Sequence, residues 1–596
     1  MMTLDIDTGS GARRVDLFTY LEPDREERAQ EDAYTWIKAI RGLRVDGETF
    51  RTRFTFRGDS LWWFAELFLH KDQAVLNAHR IIAAFDTLIE VERPLAVTYV
   101  AGRYAGVLAA AAAARTVRYG GPRWPNATTR LVRMDVRASA LAFLARGSRL
   151  RAPSVPSGTA RVAAFVHRAF WRTDGVADAR AESYIGPVLR ALEHAVSREE
   201  VRYVGVGPSR NFRARRWWDP LRAQPDAGIV PIEHYAPAAA LTDSRRLFGE
   251  RHAVRRALWA SADLRAHAVI DGCDCWPLIR EQLAGIALLQ FPWSARAMDE
   301  AAAALDVLQP RAATTYAEAG GWGRALALEC RRRGIPLAGL QHGFIYRHWL
   351  NYRHEPDETE PDPRNPSDPG FPFPALTLLY DEQTSEHLRN AGRFPPSLLA
   401  VTGSPRLDEL KAAMAKLDAG QIKRVRHESG ASETQRFLLF AAKEREARRA
   451  LPALVAAVRE MPEVHLAIKP HPAETPDVYA SAAADVPNIR VLPADAQLPA
   501  LLAAADAIVT VNSTVAVDGL ALGIPALVIG LPNNLTPFVD AGLMAGAGSQ
   551  QEIRTALAQV LYDQEFRSRS KNVLAAVHDA QAAVRAADAI VRLATR

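Results

Sequence analysis

"RAATTYAEAGGWGRALALECRRRGIPLAGLQHG", residues 311–343, sets an apolar run before a glycine-rich turn, then an alanine- and leucine-rich stretch, then a second apolar run ending on Gln341-His342-Gly343. Segments of these lengths read as strand, loop, amphipathic helix and strand, the repeating unit of a parallel sheet with both faces covered. "PLAVTYVAGRYAGVLAAAAAARTV" (94–117) reads as a second such unit with a similar Pro and Thr-Tyr opening, a faint repeat. "VRYVGVG" (201–207) is a further strand, running into the basic loop "PSRNFRARRWWDP".

Between 354 and 374 the text changes to "HEPDETEPDPRNPSDPGFPFP". Proline at this density ends helices and central strands, so this stretch reads as an exposed connector closing a first domain. The alternation then restarts with "ALTLLY", "LLAVTGSPRLDEL", "RFLLFAAK" (436–443), "VHLAIKPHP" (464–472), "NIRVL", "AIVTVNST" (507–514) and "PALVIG". The expected organisation is an N-terminal extension packed on the first domain (1–90), a first α/β domain (91–374), a second (375–570) and a packing helix (571–596). That helix repeats Val573, Val577, Ala580, Val584, Ala587 and Val591 on one face.

Composition narrows the classes. At 596 residues the chain exceeds one ordinary core. With 48% hydrophobic and 24% charged residues it is globular. The net charge of +6 suits an anionic partner, but no row of aromatics is interleaved with basic residues, which argues against nucleic acid. Three cysteines are too few for a disulfide framework and fit a reducing cytoplasm; Cys273-Asp274-Cys275 lacks a second Cys/His pair for metal. The N-terminus has no apolar signal region, and the soft stretch 95–114 carries Arg103 and reads as strand plus helix, not a membrane span.

Open α/β sheets bind ligands at the carboxyl ends of their strands, and two such domains make a cleft, so candidates are sought there. Lys469-Pro470-His471-Pro472 follows a strand; the prolines stiffen the turn and present a cation beside an imidazole, suited to phosphate. A strand-terminal turn with a solvated lysine and a packed histidine explains it too. Asn512-Ser513-Thr514 sits where a strand becomes a helix, a place of free backbone N–H groups, although serine and threonine are also ordinary N-caps. Asp518, one turn on, is placed to accept from a ribose hydroxyl. Gly403-Ser404 either lies against a nucleotide or makes a tight turn, and Arg406 and Asp408 suggest a local pair.

On the first domain, His342 ends a strand and Glu318, Gly320 and Gly321 follow another, where a carboxylate and close-approach glycines would meet a ligand; a plain βα turn is the alternative. Arg210, Arg213, Arg215 and Arg216 are either an anion contact or a solvated face. "SLWWFAELFLHK" (60–71) clusters Trp62, Trp63, Phe64, Leu67 and Phe68, a buried helix or a membrane-facing patch.

The set of QHG at a strand end, "VTGSPRLDEL", KPHP and "NSTVAVDGLALGIPALV", in that order, resembles the GT-B glycosyltransferases of bacterial surface and capsular polysaccharide assembly. The capsule-type Kdo transferases are nearest in likeness, with HP-motif polysialyltransferases and CDP-glycerol glycerophosphotransferases more distant. The resemblance covers roughly 310–560 and implies an α/β GT-B fold, two Rossmann-like domains facing across a cleft. It further implies that Lys469 and His471 hold donor phosphates, Ser513 and Thr514 cap them, and His342 acts as general base near the acceptor, beside Gln341 and Gly343. "FIYRH" after His-Gly departs from the glycerophosphotransferase pattern, which argues against glycerol phosphate. The implied function is transfer of a sugar, a CMP-linked acid sugar favoured, from a nucleotide-sugar substrate to a glycan or lipid-linked acceptor, without a resident cofactor or metal. The place implied is the cytoplasm, with peripheral inner-membrane association as a further partner. The alternatives are a non-hydrolysing nucleotide-sugar 2-epimerase relative, a glycerophosphotransferase and a non-catalytic nucleotide-sugar-binding scaffold.

Overall fold

The computed structural model describes residues 2–9, 11–99, 102–124, 127–149, 159–173, 180–207, 228–316, 318–441, 443, 447–448, 450–471, 474–483, 486–572 and 581–595. The chain forms two compact units: residues 1–342, 348–400 and 587–596 make the first, and residues 343–347 and 401–586 the second.

Unit 1 is built on seven strands: β1 (Val162–His167), β2 (Val201–Val206), β3 (Val230–Pro231), β4 (Ala312–Tyr316), β5 (Leu337–Leu340), β6 (Leu376–Leu379) and β7 (Leu399–Val401). Their spatial order is β3-β2-β1-β4-β5-β6-β7, and from β3 to β6 every neighbour is parallel. The strands read as near-continuous Val, Ala and Leu because helices cover both faces. On one face Phe165, Val204 and Ala313 pack with Ala301 and Leu305 of helix Phe291–Leu308 and Leu326 of helix Gly321–Arg333. The latter helix ends in three arginines and then Gly334 at φ +67°, a left-handed cap that glycine adopts without Cβ strain.

Unit 2 carries β8 (Arg436–Ala441), β9 (Val464–Lys469), β10 (Ile489–Val491), β11 (Ala507–Thr510), β12 (Ala526–Ile529) and β13 (Ala545–Ala547), all parallel, in the order β10-β9-β8-β11-β12-β13. Alternation along β8 feeds two cores: Leu438 and Phe440 face one layer, Phe437 and Leu439 the other. Both sheets therefore run outward in opposite directions from a central pair, β1/β4 in unit 1 and β8/β11 in unit 2. This is the doubly wound order, and the expected α/β class of two Rossmann-like domains stands.

Several expectations are corrected. The 354–374 stretch is anchored rather than simply exposed: Pro356, Asp357, Glu360 and Pro361 face solvent, but Glu358 and Asp368 are fully buried, Glu358 accepting from Lys38 at 2.8 Å and Asp368 from Arg51 at 2.9 Å. Proline there breaks regular structure, but paired carboxylates hold the segment against the N-terminal helices. The boundary expected at 374/375 falls at 400/401, because β6 and β7 complete the first sheet. The 94–117 strand, Ala96–Thr98, joins a separate four-stranded sheet with Thr3–Asp7, Ala12–Asp16 and Arg118–Gly120, so its likeness to 311–343 is local. The aromatic run lies on helix Trp62–Asp72 with Trp62, Trp63 and Phe64 fully buried, which removes it as a membrane-facing patch.

The last helix, Ala582–Leu593, buries Ala582, Ala586, Ala587, Ala589, Ile590 and Leu593, while Val584 is 49% exposed. Of the expected stripe Ala587 is buried and Val591 half-buried, while Val584 faces outward; Val573, Val577 and Ala580 lie outside the described residues. Among the described residues no helix is long and apolar enough to cross a membrane.

Candidate functional site

The switch point of a doubly wound sheet opens a crevice, because the loops on either side leave in opposite directions. In unit 1 that point lies between β1 and β4. His167 ends β1, Tyr316 ends β4, and His342 stands two residues past β5. Their rings form one cluster: Tyr316 is 5.6 Å from His167 and 5.1 Å from His342, centroid to centroid, and Tyr184 lies 5.6 Å from His342 and 5.9 Å from Tyr316. Trp349 closes the far side of His342 at 6.4 Å. The backbone N–H of His167 donates to the Tyr316 hydroxyl at 3.3 Å.

Burial, then the neighbouring His167, pushes the His342 imidazole down to about 4. His167 falls to about 4 through burial and then the charge of Lys71. Both rings are thus neutral near pH 7, each with a lone pair free to accept a proton. The His342 pKa lies below the ordinary imidazole value because its aromatic neighbours desolvate the imidazolium. His167, Tyr184 and Tyr316 escaped the sequence reading. "VAAFVH" ends a buried strand on a histidine just as "LAGLQH" does, and that signal was there to be used.

The other unit 1 candidates make contacts within the fold. Gln341 Oε1 accepts from the Tyr380 N–H at 2.7 Å, tying the ends of β5 and β6 together. Gly320 is the N-cap of helix Gly321–Arg333, and a Cβ on Gly321 would come within 2.7 Å of the Trp293 ring, so close packing explains this pair. Glu318 is buried under β5, where a Cβ at Gly339 would meet its carboxyl at 2.9 Å. It accepts from the Tyr352 hydroxyl at 3.0 Å, and burial raises its pKa to about 7. That interior placement corrects its expected catalytic position. Arg210, Arg213, Arg215 and Arg216 lie outside the described residues. Gly343 opens the short segment 343–347 that belongs to unit 2, where Phe344 packs on Phe538 at 5.5 Å.

In unit 2 the KPHP and NST motifs share the carboxyl edge of one sheet, on β9 and β11 with β8 between them, so their strands stand about 10 Å apart. Ser513 caps helix Thr514–Ala521, accepting from the Val515 N–H at 3.3 Å, and its own N–H donates to Thr510 Oγ1 at 3.0 Å. Thr514 is the first helical residue, and Asn512 Oδ1 accepts from the Asn534 N–H at 3.1 Å. Lys469 is buried, its ammonium donating to the Ala494 carbonyl at 3.1 Å, and burial lowers its pKa. The presented cation expected there is thus turned onto a neighbouring loop, whereas His471 is exposed.

The switch point itself lies between β8 and β11, where the Thr510 hydroxyl donates to the Ala441 carbonyl and exposed Lys443 follows. Lys443 was not foreseen, because strand order is not written in local pattern. Asp518 is engaged by Arg406 at 2.9 Å, which corrects the expected Arg406–Asp408 pair. Asp408 instead accepts from the Ala582 N–H at 2.9 Å. Gly403, at φ +88°, sits 3.1 Å from Ala582 by its would-be Cβ, and Ser404 caps helix Pro405–Met414, so the tight-turn reading of this pair holds.

The family model described as capsule polysaccharide biosynthesis protein matches residues 442–542, the stretch that begins where β8 ends and holds Lys443, KPHP and NST. No curated protein sequence matches the chain. Similar solved structures include UDP-GlcNAc 2-epimerase from Neisseria meningitidis bound to UDP-GlcNAc, at 13% identity over 72% of this chain and 98% of that one with a TM-score of 0.43. MurG of Acinetobacter baumannii is 13% identical over 73% and 99%, with a TM-score of 0.39. The glycotransferase of kitacinnamycin is 14% identical over 73% and 99%, with a TM-score of 0.39. Likeness of this size establishes neither chemistry nor substrate.

Proposed function

We propose that the chain is a glycosyltransferase of capsular or surface polysaccharide synthesis that moves a sugar from a nucleotide-sugar donor, a CMP-linked acid sugar favoured, to a glycan or lipid-linked acceptor. The observation that supports it most is the coincidence of the capsule-biosynthesis match with the switch-point edge of unit 2. There the positive dipole end of helix Thr514–Ala521, with Lys469, His471 and Lys443, supplies donors and positive charge for phosphate. As the bond from the anomeric carbon to the phosphate oxygen breaks, that oxygen keeps the electron pair and these groups stabilise it.

His342 takes the proton of the acceptor hydroxyl as the new glycosidic bond forms, a role open to an imidazole that is neutral over the working range. The test is nucleotide release from CMP-, CDP- and UDP-sugars with and without a capsular oligosaccharide acceptor. Acceptor-dependent release of one nucleotide that His342→Ala abolishes supports the proposal. An acceptor-independent change of the sugar overturns it in favour of an epimerase.

A further inference from the structure

Helix Ala127–Arg149 carries four of the nine exposed large hydrophobic side chains among the described residues: Val132 at 58%, Val136 at 62%, Leu141 at 38% and Phe143 at 73%. At about 100° per residue, Val132, Val136 and Phe143 fall within about 40° of one another and form one outward stripe. Arg133 and Arg137 border that stripe on one side and Arg146 on the other; all three are exposed and make no ion pair with a described residue. The one acidic residue on the helix, Asp135, is engaged by Arg251 at 3.2 Å. Behind the Arg146 edge, Leu141, Ala145, Phe248, Pro292 and Trp293 line an apolar groove that Arg245 and Arg296 also border.

We propose that this face of unit 1 docks on an anionic phospholipid bilayer, the apolar stripe entering the acyl boundary while the arginine rim pairs with lipid phosphates. An apolar row flanked by unpaired cations is complementary to that surface. It is a poor match for a second copy of the chain, which would set arginine rim against arginine rim.

The full chain is mixed with vesicles of equimolar phosphatidylglycerol and phosphatidylcholine, or of phosphatidylcholine alone, and pelleted. Expected is salt-sensitive binding to the anionic vesicles that falls at least about tenfold in Val136→Glu/Phe143→Glu and to the phosphatidylcholine level in Arg133→Glu/Arg137→Glu. Val269→Glu, at a 51% exposed valine elsewhere, should bind as the unaltered chain does. The proposal is overturned if the unaltered chain stays in the supernatant or if the stripe variant pellets equally. It is also overturned if the stripe variant changes the sedimentation coefficient without lipid, which would make the face an interface between copies. The readout is independent of turnover.

Discussion

The phenol ring of Tyr316 lies 5.1 Å from the imidazole of His342, centroid to centroid, and this contact helps to keep the histidine uncharged. A histidine whose folded pKa lies below its ordinary 6.5 is neutral in both states at pH 7, so its stabilising contribution is complete there. That contribution is lost as pH falls from 6.5 to about 4, where the unfolded chain takes up a proton that the folded one refuses. A shift of this size is worth about 2 kcal/mol between pH 7 and pH 5. Urea unfolding at the two pH values should therefore show a smaller loss for His342→Gln than for the unaltered chain, by about that amount. An acid limb of turnover near pH 4 instead of 6.5 is the kinetic counterpart.

Arg406 and Asp518 form an ion pair at 2.9 Å in which burial raises the carboxyl pKa and the guanidinium lowers it. Arg406→Ala removes the lowering partner, leaving a mostly buried carboxylate to be desolvated alone, at a cost of roughly 1–3 kcal/mol at pH 7. Protonation relieves that cost, and because the folded carboxyl pKa is raised, the deficit should shrink as pH falls toward the ordinary carboxylate value of 3.8, before that value is reached. Asp518→Asn in the same background should recover much of it. Thermal unfolding at pH 7 and pH 4 measures both effects, and a pH-independent deficit would count against a charge origin.

Gly321 opens helix Gly321–Arg333 with its would-be Cβ 2.7 Å from the Trp293 ring. The Trp293 indole, held against Trp322 at 5.4 Å, has to shift to make room, so Gly321→Ala should destabilise by about 1–3 kcal/mol. Trp293→Leu should absorb most of that cost, giving a non-additive double variant in denaturant titration.

What could be read from the sequence was what neighbouring residues decide. Every strand of unit 2 from "RFLLFAAK" to "PALVIG" lies where the alternation and the turn residues place it. What could not be read was set by distant partners. Nothing local to 436–443 says that β8 sits centrally beside β11, so Lys443 was passed over. Nothing local to 354–374 says that Lys38 and Arg51 wait to pair two of its carboxylates, so the buried anchors Glu358 and Asp368 were missed in what read as an exposed connector. Gly403 and Ser404 read ambiguously because a ligand-facing turn and an N-cap use the same two residue types.

Lys469 ends β9 with its ammonium on the Ala494 carbonyl at 3.1 Å, held in a partly desolvated place. If unit 2 binds a diphosphate, the ammonium exchanges that carbonyl for the ligand, and Lys469→Met removes both interactions. Lost hydrogen bonding to the carbonyl alone is worth about 1 kcal/mol, whereas a charge-assisted contact to phosphate is worth roughly 1.5–3 kcal/mol. Lys469→Met should therefore unfold slightly more easily than the unaltered chain and should bind CMP, CDP or UDP about 10- to 100-fold more weakly. Ser513→Ala, which deletes only the cap, should cost about 1 kcal/mol of stability with a smaller effect on affinity. Isothermal titration with each nucleotide, read beside thermal unfolding, separates the two contributions. A Lys469→Met chain that loses stability but keeps its nucleotide affinity would make the lysine a strap between two loops and no part of the donor site.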